Sequence, residues 1–355
     1  MTCASPPLVS VLMPYYNNLR HVEATVTSVL NQTYRHLELI VVDDCSPDPE
    51  ARTLIDSLAE KYGFRLLRPT QNQGVARAIQ LAFEASQGEY ISTLGHDDLY
   101  TPDRTEYMVK VIMERGLDVL HCNGGMFTGD DPSSARPFND SEVVRRQREG
   151  GQAAVLELLT SCDTEPSLLA TGSTLYKRSV FQDLSWMRLN FLLDDWPVTI
   201  KVWRDYKVNF DSHVSFLYRQ HEENGHKDFW KWLPARIQTI SEMVDEPNRI
   251  NTLGAVMEDV ASHLKAHGQE AEAMRTALAA CFLQKSPRIR PLAGKIIRTL
   301  LAEGSPDVTA AIRAQMNDLC RQQSFGYKIA RLFNRLICAL CWNRETRQKI
   351  RRRYP

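Results

Sequence analysis

The chain has 355 residues with 43 basic and 43 acidic side chains, 43% apolar and 24% charged residues. Such values exclude a wholly disordered, collagen-like or coiled-coil protein, and the length allows two domains or one large domain with an appendage. The longest apolar run near the C-terminus, Leu336 to Trp342, has seven residues, against the ~20 that a bilayer span requires. The opening residues have neither a basic region nor an apolar core, so a soluble cytoplasmic protein without a secretory signal is expected.

The neutral total hides an asymmetry. Residues 1–235 carry 23 basic against 32 acidic side chains, residues 236–320 carry ten of each, and residues 321–355 carry ten basic side chains and one acid, Glu345. An acidic body with a basic tail points to a tail that meets a negative surface. The eight cysteines follow no framework spacing and read as free thiols in a reducing compartment.

Leu8 to Pro14 reads as a short buried strand. Asn17-Asn18 can cap the next helix, whose apolar positions Val22, Val26, Val29 and Leu30 recur at helical spacing. A second strand, Leu37 to Val42, runs into Asp43-Asp44-Cys45-Ser46-Pro47. Helix 50–62, strand 64–68, helix 75–86 and strand 89–94 follow in alternation. That order predicts a Rossmann-like α/β fold, a mostly parallel sheet flanked by helices. Pro102-Asp103 opens another helix, Leu117 to Cys122 reads as a strand, and the polar stretch 128–150 as a mobile loop. Helix 152–160, strand 171–176, helix 196–204 and strand 207–218 complete a first domain over 1–232. From about 229 the chain is Ala-, Leu- and Arg-rich with no strand signal, which predicts an α-helical C-terminal region over 233–355.

Ligands of such a sheet gather at the carboxyl ends of its strands. Three polar clusters fall there: Pro14-Tyr15-Tyr16-Asn17, Asp43-Asp44, and Gly95-His96-Asp97-Asp98. Three clusters on one edge mark a site.

The motifs around these clusters resemble family 2 glycosyltransferases, the large inverting family with a GT-A fold. The matching stretches are Val9 to Asn17, Ser28-Val29-Leu30-Asn31-Gln32-Thr33-Tyr34, Glu38 to Ser46, Asn72-Gln73-Gly74, Gly88-Glu89-Tyr90-Ile91, and His96 to Arg104. Each is weak alone; six in order within residues 8–126 are specific. The resemblance implies a nucleotide-diphosphate-sugar donor, with UDP- or dTDP-sugar favoured, and a divalent metal, Mn2+ or Mg2+.

It also implies roles. Asp44 corresponds to the acid that accepts the N3–H of uracil or thymine, a task suited to an ionised carboxylate. The alternative is an Asx turn, a role that falls to Asp43. Pro14, Tyr16 and Asn72 belong to the same nucleotide pocket. Asp97 and Asp98 match the metal motif, Asp98 for the metal and Asp97 for the ribose or the metal. A hard cation there neutralises charge that grows on the departing diphosphate. Gly95 stands where family members commonly carry a further acid, and a helix-capping pair is the rival reading.

Leu192-Leu193-Asp194-Asp195-Trp196-Pro197 resembles the paired-acid motif whose second member, Asp195, is the general base; Asp194 replaces a commoner Glu. Pro197 makes Asp195 or Trp196 a helix cap as well, and the two roles are compatible. Tyr218-Arg219-Gln220-His221 resembles the segment that closes many such domains. There His221 would serve the metal or the diphosphate and Arg219 a phosphate, with an ordinary surface histidine as the alternative. Arg77 is a weak further candidate for the diphosphate. His263 with His267 reads as a solvated helix face, and Cys338-x-x-Cys341 has no second pair for a zinc site. The Gln-x-x-Arg-Trp signature of processive synthases is absent, which implies addition of one sugar at a time.

From Phe325 to Trp342 apolar residues recur at helical spacing opposite Lys328, Arg331 and Arg335, and six basic residues follow between Arg344 and Arg353. A basic amphipathic tail over about 325–355 reads as an anchor on an anionic membrane surface. Its rival is packing on the chain's own acidic domain, and no nucleic-acid partner is expected. The reading is a metal-dependent, membrane-peripheral inverting glycosyltransferase on the inner face of the cell membrane. It would act on a glycan or lipid-linked acceptor in surface-polysaccharide synthesis, lipopolysaccharide or capsule. A non-catalytic relative acting as an assembly subunit and a nucleotidyltransferase are the alternatives.

Overall fold

The computed structural model describes residues 5–160, 171–190, 195–221 and isolated positions between 236 and 266. In chain order its elements are β1 (Val9–Tyr15), α1 (Val22–Leu30), β2 (Leu37–Asp43), α2 (Pro49–Tyr62), β3 (Arg65–Leu67), α3 (Val75–Ala85), β4 (Tyr90–Thr93) and β5 (Leu99–Tyr100). There follow α4 (Arg104–Glu114), β6 (Val119–Thr128), β7 (Arg136–Pro137), α5 (Ser141–Thr160), β8 (Thr174–Lys177), α6 (Arg178–Asn190), α7 (Trp196–Asp205) and β9 (Val208–Gln220). The chain divides into two compact units, Met1–Val244 and Asp245–Pro355. The tail over 325–355, Asp194, His263, His267 and Cys338-x-x-Cys341 lie outside the described residues. Among the described residues no helix is long and apolar enough to cross a membrane.

One mixed sheet runs in the order β3-β2-β1-β4-β8-β6-β9-β5, with β7 paired to β6. Its first half is parallel: Val9 lies opposite Leu37 on β2 and Tyr90 on β4, and Ile40 opposite Arg65 on β3. Beyond β4 the sheet differs from the expected mostly parallel one. β8 runs antiparallel to both β4 and β6, and β5 antiparallel to β9, while β6 and β9 are parallel. The first half follows from alternation of buried strand runs with helices, which forces right-handed crossovers and parallel pairing.

β1 is buried along nearly its whole length. Val11, Met13 and Tyr15 are buried with Val22, Val26 and Val29 of α1 and Ile55 and Leu58 of α2. Burial of each such aliphatic side chain contributes ~1.5–3 kcal/mol. Val9 joins Met108 and Ile112 of α4, Leu120 and Cys122 of β6 and Leu175 of β8 in a second cluster.

The expected loop at 128–150 is helical from Ser141 onward, and α5 continues through a kink at Gly151, whose φ of 64° and ψ of −152° interrupt the helix. Its exposed face is stabilised by Arg145 between Glu142 and Glu149, three and four residues away. Its inner face is fixed by Gln147, which donates to the Phe210 carbonyl and accepts from the Phe210 amide. Polarity there marks a salt-bridged helix surface. The helix α6 was also not expected, although Val180, Phe181 and Leu184 form a buried stripe.

Candidate active site

The order 3-2-1-4 reverses direction between β1 and β4, and the polar clusters lie at the carboxyl ends of these strands. The loop after β1 is built around Asn17 (φ 49°), whose amide donates to Ser46 Oγ at 2.9 Å and whose side chain accepts from the Asp48 amide at 3.2 Å. The loop after β2 contains Cys45 at φ 59°. Two non-glycine residues in the left-handed region, one in each loop, mark strained backbone of the kind that clusters at functional sites.

Asp43 and Asp44 divide their work. Asp43 is fully buried; it accepts the Ser46 amide at 3.0 Å and Arg68 Nε at 2.6 Å, so it forms the expected turn and anchors β3's exit. Asp44 is 4% exposed, and its Oδ1 and Oδ2 accept the amides of Gln73 at 2.9 Å and Gly74 at 2.7 Å. Asn72 Nδ2 donates to the Asp44 carbonyl at 3.0 Å. Gly74, at φ 87°, is the N-cap of α3, a backbone shape that favours glycine. Asp44 thus caps α3 in trans and keeps two of its roughly four lone-pair sites. Pro14 is half-buried and its carbonyl faces His96 Nδ1 at 3.2 Å, while Tyr16 is 43% exposed beside it.

The Gly95–Asp98 loop follows β4. Asp98 is 7% exposed and its Oδ1 accepts the Arg219 amide at 3.0 Å. Asp97 Oδ2 lies 3.0 Å from His221 Nε2. A Cβ at Gly95 would stand 2.9 Å from Asp97 Oδ1 and 3.3 Å from Asp98 Oδ2. The missing side chain therefore leaves a cradle bounded by the two oxygens that His221 and the Arg219 amide do not use. Burial, then the charge of Asp97, push Asp98 well above the usual carboxylate range, against the pull of the Arg219 amide and guanidinium. Burial and the charges of Asp98 and Asp97 likewise push the Tyr218 phenol up. A carboxylate pair in this condition is short of positive charge.

Arg219 is 3% exposed. Its Nε donates to the Asp97 carbonyl at 3.0 Å, one terminal nitrogen donates to the Gly129 carbonyl at 2.5 Å, and the guanidinium covers the Phe127 ring at 4.6 Å. Its guanidinium therefore braces the Asp97 backbone. Neither Asp97 nor Asp98 caps α4. Gln32 does that from a distance, accepting the Thr105 amide at 2.9 Å, which gives the Asn31-Gln32-Thr33-Tyr34 motif a structural purpose.

Asp195 is the N-cap of α7 and accepts the Trp196 amide at 2.6 Å, with Pro197 in the first turn. The Trp196 indole donates to the Leu159 carbonyl at 3.0 Å, tying this end of α7 to α5.

The structure thus brings Asp97, Asp98, Arg219 and His221 into direct contact, joins Asp44 to Asn72, and positions Asp195 from α7. One neighbour was not expected: His21, 7% exposed, whose ring centroid lies 5.5 Å from that of His221. Burial, then the charges of Arg219 and His221, hold its pKa below the ordinary histidine value. No spacing in the sequence marks it.

The fold is of the glycosyltransferase GT-A kind. It resembles S. aureus TarS 1–349, crystallised with UDP-GlcNAc, with a TM-score of 0.53 and 15% identity over 80% of this chain and 83% of that one. It also resembles the Pyrobaculum calidifontis mannosyltransferase PcManGT, solved with GDP-Man and Mn2+, with a TM-score of 0.51 and 17% identity over 91% and 83% of the two chains. Residues 10–185 match the family model described as glycosyl transferase family 2. TuaG of Bacillus subtilis, a glycosyltransferase assigned to teichuronic acid biosynthesis, is 38% identical over 221 residues, 57% of this chain and 88% of TuaG. The chain belongs to glycosyl transferase family 2. An uncharacterised glycosyltransferase of Rickettsia conorii is 26% identical over 230 residues, 62% of this chain; these span 35% of that longer protein.

Proposed function

We propose that the protein is an inverting glycosyltransferase that moves a single sugar from a nucleotide-diphosphate-sugar, UDP- or dTDP-sugar favoured, to a hydroxyl of a glycan or lipid-linked acceptor in surface-polysaccharide synthesis. The observation that carries this reading is the Asp97–Asp98 pair, with two oxygens facing the Gly95 cradle, in a family 2 chain. TuaG's assignment to teichuronic acid, and the UDP-GlcNAc held by TarS, support the acceptor and donor classes.

Asp98 and Asp97 fit a hard divalent cation, Mn2+ or Mg2+. Among the described residues no group of three or more His, Cys, Asp or Glu is gathered for a metal. A pair of carboxylates completed by substrate phosphates and water is the usual manner of Mg2+ binding at such sites. When bound, the cation would neutralise charge on the diphosphate as it departs. His221 orients Asp97, and Arg219 fixes the backbone that presents both acids. Tyr16 and Pro14 border the base, Asn72 holds the Asp44 loop, and the remaining lone pairs of Asp44 accept the imide N–H of uracil or thymine.

Asp195 takes the proton. The acceptor oxygen attacks the anomeric carbon from the face opposite the diphosphate, the new C–O bond forms as the sugar–phosphate bond breaks, and the nucleoside diphosphate leaves. A domain boundary near 232 and peripheral attachment to the cytoplasmic membrane face through 325–355 complete the proposal; both rest on sequence pattern.

Product analysis tests the reading. Incubation with a UDP-sugar and acceptor should release UDP and invert the anomeric configuration. Release of pyrophosphate would mark a nucleotidyltransferase, and co-purification with other synthesis proteins without turnover would mark an assembly subunit.

A further inference from the structure

We propose that His21 donates a hydrogen bond to the diphosphate of the donor, a role that rests on the donor reading above. Its backbone is fixed. Asn18 Oδ1 accepts the His21 amide at 2.8 Å and the Val22 amide at 3.2 Å, which sets the start of α1. Thr25, one turn on, donates to the His96 carbonyl at 3.0 Å and ties that start to the loop carrying Asp97 and Asp98. The His21 ring is thereby held against His221, with centroids 5.5 Å apart and planes tilted by 42°, and His221 in turn faces Asp97 at 3.0 Å.

His21 is 7% exposed, yet among the described residues neither ring nitrogen has a protein partner. Neither nitrogen is sealed from solvent, so a ligand can reach the ring and supply the missing hydrogen bond. Arg219, Arg20 and His221 act on it with Asp130 as the opposing charge, so its surroundings favour an anion. A phosphoryl oxygen accepts from an imidazole N–H, and a diphosphate held by the neighbouring Asp97–Asp98 site would bring one there. The nucleobase does not fit this role, because the Asp44–Gln73–Gly74 arrangement stands at the end of β2.

The test compares wild type, His21→Ala and His21→Gln, each shown folded by circular dichroism, for binding of UDP and of uridine in the presence of Mn2+. Calorimetry reads UDP and ligand-observed NMR reads uridine. The expected result is that His21→Ala weakens UDP about tenfold and leaves uridine unchanged, while His21→Gln, which keeps an N–H donor, weakens UDP less. UDP binding unchanged in His21→Ala, or equal weakening of UDP and uridine, overturns the role of His21 alone. Failure of the wild type to bind either UDP or dTDP overturns the donor reading together with it.

Discussion

Substitution of Gly95 by alanine probes the cradle with one methyl group. The backbone there is not in the left-handed region, so alanine is conformationally tolerated, and the added Cβ would lie 2.9 Å from Asp97 Oδ1 and 3.3 Å from Asp98 Oδ2. The first distance is too short for carbon against oxygen, and Asp97, about one-fifth exposed, is the side chain able to move. Its shift of a few tenths of an ångström disturbs the 3.0 Å contact with His221 and separates the two oxygens assigned to the cation. Fold stability should change by less than about 1 kcal/mol, because the displaced group is the end of a side chain at the cleft. Loss of one charged ligand interaction should cost ~1.5–3 kcal/mol, or about 10- to 150-fold in cation affinity. Mn2+ binding followed by electron paramagnetic resonance, with and without UDP, measures this. Affinity within twofold of wild type in a folded Gly95→Ala protein would refute the reasoning.

Three further predictions use other parts of the structure. Asp195→Asn keeps an oxygen able to accept from the Trp196 amide, so the helix cap survives. Its turnover should fall about 10²–10⁴-fold with donor affinity unchanged, and undiminished turnover would remove Asp195 from the role of base. Gln32→Ala leaves the buried Thr105 amide without its side-chain acceptor and takes the Gln32 donor from the Thr101 carbonyl, which keeps the Arg104 amide at 3.2 Å. Urea unfolding should show a loss of ~2–4 kcal/mol, and a loss below about 0.5 kcal/mol would deny Gln32 its structural part. The third concerns acid. Burial lowers the pKa of His121 from 6.5 to about 3, so the folded imidazole stays neutral while the unfolded chain gains a proton. The resulting stability is present above pH 6.5 and is lost as pH falls toward 3, by up to ~1.4 kcal/mol per pH unit. His121→Gln should lose stability less steeply between pH 6.5 and 5, and equal slopes would contradict the assignment.

The parallel half of the sheet was legible because its evidence is local. Buried runs such as Leu39 to Val42 and helical stripes such as Val22, Val26 and Val29 need no distant partner to be read. The second half depends on non-local pairing. Nothing in Thr174 to Lys177 states that the strand turns antiparallel to both of its neighbours. At the site, the aspartate clusters announced themselves by position at strand ends. Their partners did not. Gln73 and Gly74 reach Asp44 across 29 and 30 residues, a meeting made by the register of β1, β2 and β3. Arg219 reads as a phosphate ligand from the resemblance of its segment, whereas the fold sets its guanidinium against the Asp97 and Gly129 carbonyls and 3.6 Å from the Asp130 carboxylate. His21 carries no pattern, and its place follows only from where α1 starts beside the Asp97 loop.

The central claim, a nucleotide-diphosphate-sugar site built on Asp97 and Asp98, is tested most directly by thermal unfolding with UDP, dTDP, GDP or CMP, each with and without Mn2+, beside Asp98→Ala. A ligand at 100 times its dissociation constant stabilises the native state by ~2.7 kcal/mol. In a domain of this size that corresponds to a rise of about 5–10 °C in the midpoint. The account predicts such a rise with UDP or dTDP, dependent on Mn2+ and lost in Asp98→Ala; no rise with any nucleotide would contradict it.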